Sequence, residues 1–311
     1  MAAQLAAAAT APAWSVLDYL DFVEQRCRIL IKPPLGSGTG MFGEAARAAD
    51  YHLQVGGRRI RARLALDASL KLGLSSPTAV AIASTCELLH NASLVHDDLQ
   101  DRDSTRRGVE AVWTSFGADI AICAGDLLLS SAYASLAGVD DPTYLPQMLS
   151  LIHARTAAAI QGQSCDLAHR TIQVEDVDTY LRIVACKSGA LLSLPLELAL
   201  LSAGQVQWAD KAREAAEAFA IGYQIADDLD DIDSDKTTKV LNIFLLLEQR
   251  HFANDDHPDP DADADRSANI RRQCVLLARQ HLDLAASAAV SLPGRCGNLL
   301  AQLATELNGH L

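Results

Sequence analysis

The chain has 311 residues, 50% of them hydrophobic and 5% aromatic, with 39 acidic against 26 basic side chains and a formal charge of -13. That length can bury a large core, and an Ala- and Leu-rich composition without alternating β-branched runs predicts an all-α protein. The acidic excess argues against nucleic acid as a partner, and 7 scattered cysteines without a CxxC pair argue for reduced thiols over zinc or disulfides.

After an Ala-rich start, helical periodicity predicts a first helix over 14–31, closed by Pro33, Pro34 and a Gly-rich loop reaching Gly43. Further helices are expected over 44–54, 58–72, 78–100, 117–137, 144–168, 174–202, 208–230, 240–250, 268–289 and 297–308. The chain reads as a single helical domain over 1–311, with 1–13 and 253–267 expected to be flexible; the latter is mostly Asp, Pro, Ala and His with no apolar companions. The N-terminus lacks the basic residues of a signal peptide, and the apolar stretch 190–201 is interrupted by Pro195 and Glu197. That stretch is too short to span a bilayer, so a cytoplasmic protein without a membrane span is expected.

Two acidic clusters carry the chemical signal, Asp97-Asp98-Leu99-Gln100-Asp101 and Asp227-Asp228-Leu229-Asp230-Asp231. One such run is ordinarily a solvated helix face. Here each follows apolar or small residues, Leu88, Leu89, Ala92, Leu94 and Val95 before the first, Phe219, Ala220, Ile221 and Ala226 before the second. Residues i, i+1 and i+4 share a helix face, so each cluster is expected to present three carboxylates that repel one another unless a cation joins them. Mg²⁺ suits such a surface, and because it usually takes a few carboxylates plus phosphate oxygens, the ligand should be a polyanion.

The basic residues agree with that expectation. Arg106 and Arg107 follow the first cluster, and Gly56-Gly57-Arg58-Arg59-Ile60-Arg61 opens a helix with a backbone able to approach an anion. The competing reading of the latter is a solvated basic face. Lys187 lies between Val184, Ala185, Ala190 and Leu191, and a buried, unpaired lysine is costly, so it must snorkel or meet an anion. His90 shares a helix face with Glu87, where a satisfied core histidine is the alternative to a ligand.

In this order the residues resemble the trans-isoprenyl diphosphate synthases of the polyprenyl synthetase family over about 44–289. The motifs are Gly56-Gly57-Arg58-Arg59-Ile60-Arg61, Glu87-x-x-His90, His96-Asp97-Asp98-x-x-Asp101, Arg106-Arg107-Gly108, Gly125-Asp126, Gly162-Gln163-x-x-Asp166, Lys187-Ser188 and Gln224-x-x-Asp227-Asp228-x-x-Asp231. The resemblance implies a homodimer of isoprenoid synthase-type helical bundles around a central cleft, with three Mg²⁺ per active site. Asp97, Asp101 and Asp227 would be the principal metal ligands, and Asp98, Asp228 and Asp231 would reach metal directly or through water. Arg106, Lys187 and Lys239 would grip the allylic diphosphate (dimethylallyl, geranyl or farnesyl). Gly57, Arg58, Arg61, His90 and Arg107 would bind isopentenyl diphosphate.

The implied reaction is a 1'-4 condensation: the allylic C–O bond ionises, the dipoles of Ser188 and Gln224 stabilise the cation, isopentenyl diphosphate attacks, and the released pyrophosphate takes the proton. Arg58 stands for the family's usual lysine, Ser188 for its threonine and Ala62 for its proline. The stretch after the second cluster is short, so either Lys236 or Lys239 fills the usual lysine's place. The resemblance implies that the residues before the first cluster line the floor of a tail tunnel; small Ala92 and Ser93 would open that floor by about one helical turn, about 5 Å, leaving Leu89 and Cys86 as the next floor and geranylgeranyl diphosphate as the expected product. Farnesyl or longer products are the alternative. A class I terpene cyclase fits less well, because the second aspartate motif and Arg58, Arg61 and His90 would have no place in it, and a non-catalytic synthase subunit should have lost a motif.

Overall fold

A computed structural model describes residues 16–32, 43–238, 240–253 and 263–311. By internal packing the chain forms two compact units, Met1–Ile152 with Leu194–Val206, and His153–Ser193 with Gln207–Leu311. Helices build both, and the strands among the described residues form one two-stranded hairpin.

In the first unit, α1 (Val16–Leu30), α2 (Glu44–Gln54) and α3 (Ile60–Lys71) precede the long α4 (Ser76–Asp101). Ser75 caps α4 by accepting from the Thr78 amide, Pro77 sits in its first turn, and Arg102 in the left-handed region (φ 63°) ends it. Between these ends α4 is buried on nearly every side from Thr78 to Ala92, because alanines let α1, α3 and α6 (Ala118–Ser135) approach closely. Thr85 fastens α4 to α6 by donating to the Ala81 carbonyl at 3.0 Å and the Ala132 carbonyl at 3.2 Å. The first aspartate cluster therefore emerges at the C-terminal end of a rigid core helix.

The segment 101–113, expected as a loop, folds further than its composition suggests. β1 (Thr105–Arg106) pairs antiparallel with β2 (Val109–Glu110) across Arg107 (φ 52°) and Gly108 (φ 82°), and α5 (Val112–Phe116) follows. Two central residues with positive φ match the twist of flanking strands, the preference of tight hairpins.

The second unit centres on α10 (Ala209–Asp230), which packs against α13 (Asp263–Val290), itself covered by α14 (Asn298–His310). Gly222 permits the first contact, since a Cβ there would overlap the Leu282 side chain. Tyr180, Ile183, Val184, Ile221, Ile225, Leu229, Ile243 and Cys274 belong to one buried cluster at the C-terminal end of α10.

Three expectations are corrected here. The helix expected over 174–202 is divided into α8 (Val177–Val184), a π-helical turn Ala185–Gly189, and α9 (Ala190–Ser202). The segment between the helices expected over 208–230 and 240–250, left without a helix there, carries α11 (Ile232–Thr238) before α12 (Ile243–Ala253). Of the segment 253–267, Ala253 closes α12 and Asp263 opens α13, so only 254–262 lies outside the described residues. Residues 1–13 and Lys239 lie outside them too. By length and composition Ala118–Gly138 and Val177–Ser202 could each cross a membrane, although 78% of the apolar window in the latter is buried within the fold.

Candidate active site

In the first unit, backbone conformation places the cations. The turn from α2 to α3 contains Gly56 (φ 77°), Gly57 (φ 144°) and Arg59 (φ 50°). Arg59 pins it down: Nη1 donates to Glu87 Oε1 of α4 at 2.8 Å, Nη2 donates to the Leu53 carbonyl at 3.0 Å, and Nε lies 3.4 Å from Glu24. Arg58 remains exposed and Arg61 half-buried on either side of this anchor. From the hairpin, Arg107 donates to the Gly56 carbonyl, and its guanidinium lies where a Cβ on Gly57 would be. Tyr51 to the Glu110 carbonyl at 2.9 Å and Trp113 to the Asp103 carbonyl at 2.7 Å hold the hairpin in place.

The result is a concentration of positive charge around two histidines. Burial, then Arg61, Arg107, His52 and Arg106, hold His90 well below the usual histidine range, and burial with Arg106 and Arg107 lowers His52 to about 4. Both rings are neutral at ordinary pH and donate or accept without adding charge. This arrangement can receive a compact polyanion. Glu87, Arg59 and His52 are the contributors that motif reading left without a role; Arg59 orders the turn, and His52 could have been found by its spacing on the face of α2 that carries Ala48, Ala49 and Leu53.

The first aspartate cluster departs from the expected three carboxylates on one face. Asp97 and Asp101 are half-buried at the surface, while Asp98, one residue round the helix, turns inward and is ion-paired with Arg106, whose Nε donates at 2.6 Å. Burial raises the Asp98 pKa, with Arg106 opposing. Its Oδ2 is buried without a hydrogen-bond partner among the described residues.

The second cluster repeats the pattern. Asp227 and Asp231 are exposed and Asp228 is 2% exposed. Asp228 Oδ2 accepts from the Tyr180 hydroxyl at 2.7 Å and the Ile243 amide at 2.8 Å, and Oδ1 accepts from Gln224 Nε2 at 2.8 Å. Burial outweighs those donors and pushes Asp228 up to about 6. Asn242 donates to the Asp228 carbonyl at 2.7 Å and to Asp235 at 2.9 Å, while its own Oδ1 caps α12 by accepting from the Phe244 amide at 2.9 Å. Asp98 and Asp228, expected to reach metal directly or through water, and Gln224, expected as a dipole toward substrate, thus make these contacts inside their own units, Asp98 with Arg106 and Asp228 with Gln224.

Lys187 and Ser188 sit on the π turn, a backbone distortion that recurs at functional sites. Gly162 of α7 (Leu145–His169) packs directly on the Lys187 backbone, and Lys187 is ion-paired with Asp166 one turn further on. The lysine has met an anion, as its apolar surroundings required. Lys236 faces Glu248 at 3.4 Å, on the surface. Of the tunnel candidates, Leu89, Ala92 and Cys86 are buried, and Ser93 is half-buried with its hydroxyl donating to the His90 carbonyl at 2.9 Å.

No group of three or more carboxylate, His or Cys side chains able to hold a metal ion occurs among the described residues. What remains is a surface pair at i and i+4 in each motif, in or just past the last turn of α4 and α10 where neither helix has a basic residue. Carboxylates at that end face the negative pole of the helix, so a cation is favoured there. Two carboxylates per pair, completed by phosphate oxygens, suit Mg²⁺.

An all-α fold that carries two aspartate motifs at helix ends and a cluster of arginines around two histidines defines the class of helical isoprenoid synthase folds. The Polyprenyl synthetase family profile matches residues 44–242, and the chain belongs to that family. It is 34% identical over 188 residues to a geranylgeranyl pyrophosphate synthase of Geoglobus acetivorans, an alignment covering 60% of this chain and 59% of that protein. It is 35% identical over 177 residues to a (2E,6E)-farnesyl diphosphate synthase of Mycobacterium bovis, covering 56% and 48%. Among solved structures, the geranylgeranyl pyrophosphate synthetase from Geoglobus acetivorans superposes with a TM-score of 0.81 at 25% identity, over 94% of this chain and 99% of that one.

Proposed function

We propose that the chain is a Mg²⁺-dependent prenyltransferase that condenses isopentenyl diphosphate with an allylic diphosphate, head to tail, to give a trans-polyprenyl diphosphate. The observation that carries this reading is the repeated pair of surface carboxylates at the cation-favouring ends of two core helices, Asp97 with Asp101 and Asp227 with Asp231. Family membership and relatives that are themselves prenyl diphosphate synthases support it.

In this reading Asp97 with Asp101 and Asp227 with Asp231 would hold Mg²⁺, three ions expected per site, and the metal would supply charge neutralisation for a pyrophosphate leaving group. Arg106 and Lys187 exchange their internal partners Asp98 and Asp166 for diphosphate oxygens, so each is stored paired until substrate arrives. Arg58, Arg61 and Arg107 bind the isopentenyl diphosphate head, and neutral His90 and His52 donate without repelling the arginines. The Ser188 hydroxyl orients toward the allylic cation, and the released pyrophosphate takes the proton.

Geranylgeranyl diphosphate is the product we favour, because Ala92 is small and buried one turn beyond Leu89. Each further isoprene could gain on the order of 3 kcal/mol from burial, so closure of the tunnel sets the length. A homodimer would cover the exposed side of α6, where Ile122 is 47% exposed, and a cytoplasmic location goes with this chemistry. Incubation with Mg²⁺, isopentenyl diphosphate and dimethylallyl, geranyl or farnesyl diphosphate in turn, followed by sizing of the hydrolysed alcohols, tests activity and length together. A C20 alcohol is expected; no elongation with any primer would defeat the reading.

A further inference from the structure

We propose that Tyr180 is a positioning residue for the second aspartate motif, its hydroxyl tying α8 to Asp228 so that Asp227 and Lys187 are kept in one fixed relation. The inference rests on the prenyltransferase reading and adds a residue that none of the motifs contains.

Tyr180 is 1% exposed, and its ring lies in the apolar cluster with Ile183, Ile225 and Cys274. Its hydroxyl is the single side-chain donor from α8 to Asp228, at 2.7 Å, among the described residues. The other donors reach Asp228 from its own helix (Gln224) or from the start of α12 (Ile243). Tyr180 therefore joins two elements with different tasks. α8 runs directly into the π turn that carries Lys187, whereas Asp228 adjoins Asp227 at the end of α10. The same contact holds Asp228 on the inward face of α10, and the positions at i and i+4, Asp227 and Asp231, are the exposed ones.

Mg²⁺ tolerates little departure from octahedral geometry, so a small rotation of α10 matters more to metal binding than to folding. Removal of the hydroxyl leaves one of the two donors on Asp228 Oδ2 and takes away the side-chain hydrogen bond from α8 to Asp228, while the phenyl ring still fills its site in the apolar cluster.

Tyr180→Phe is assayed beside the wild-type chain. One readout is thermal stabilisation by Mg²⁺ with inorganic pyrophosphate; the other is the initial rate against Mg²⁺ and against each substrate. Half-saturating Mg²⁺ should rise about tenfold in both, in line with the loss of one charge-assisted hydrogen bond. The allylic KM should rise with it, and the isopentenyl KM should stay within about twofold, since its residues lie in the other unit. In an Asp228→Asn background, Tyr180→Phe should add almost nothing. An unchanged Mg²⁺ response, or a variant that lowers the Tm and worsens all constants alike, would overturn the inference. So would additive effects in the double variant, a comparison that holds even for a weakened fold. A wild-type chain without prenyl transfer would overturn the reading of the site itself, and this inference with it.

Discussion

The guanidinium of Arg107 occupies the space a Cβ on Gly57 would need, joining the hairpin to the turn before α3. Gly57 also has φ 144°, a conformation L side chains rarely adopt. Gly57→Ala should therefore displace Arg107 and raise the isopentenyl KM at least tenfold, with a loss of about 1–3 kcal/mol in folding stability. Steady-state kinetics varying each substrate separately checks this; an allylic KM that rises equally would show the effect is not local.

The contact between Gly162 and the Lys187 backbone has a similar consequence in the second unit. A methyl at Gly162 has no flexible neighbour to push aside, since the atoms it meets are backbone. Gly162→Ala should cost about 1–3 kcal/mol through overpacking and should lower kcat by moving Lys187. Chemical denaturation alongside turnover measures both, and a variant with wild-type stability would contradict the tight crossing.

Asp97→Ala and Asp227→Ala should each abolish detectable product and the stabilisation that Mg²⁺ with pyrophosphate gives the wild-type chain. The fold itself should persist in both variants, read as a cooperative thermal transition without Mg²⁺. Near-normal turnover by either variant would remove it from the metal site.

Ala92→Phe places a ring at a buried position above Leu89 and should shorten the product by about one isoprene unit, read by chromatography of the hydrolysed alcohols. An unchanged product distribution would take Ala92 out of the tunnel wall.

His52 gives a pH signature. Its folded pKa of about 4 lies below the ordinary 6.5, so in acid the unfolded chain binds a proton that the folded chain refuses. Stability should fall as pH drops from about 6.5 to about 4, by up to about 3 kcal/mol from this residue, and the contribution should level off below. His52→Gln should flatten that part of the curve. Equal slopes for variant and wild type between pH 6.5 and 4.5 would refute the assignment.

How much of this was legible in the chain differs by feature. Helix identity was, because period-3.6 patterning is local: the helix expected over 44–54 is found as Glu44–Gln54, and 208–230 as Ala209–Asp230. The hairpin around Arg107 and the π turn at Lys187 were not. Two-residue strands leave no alternation to read, and a π turn differs from its flanking helices only in which carbonyl each amide selects.

The aspartate clusters and their arginines were legible as candidates in the sequence alone, since carboxylates and arginines at those spacings suit a divalent cation and a phosphate. Which aspartate faces outward was decided only by tertiary structure. Asp97 and Asp98, or Asp227 and Asp228, are chemically identical neighbours about 100° apart on a helix. Only the arrival of Arg106 at the first pair and of Tyr180 and the Ile243 amide at the second draws one carboxylate inward and leaves its neighbour nearer the surface.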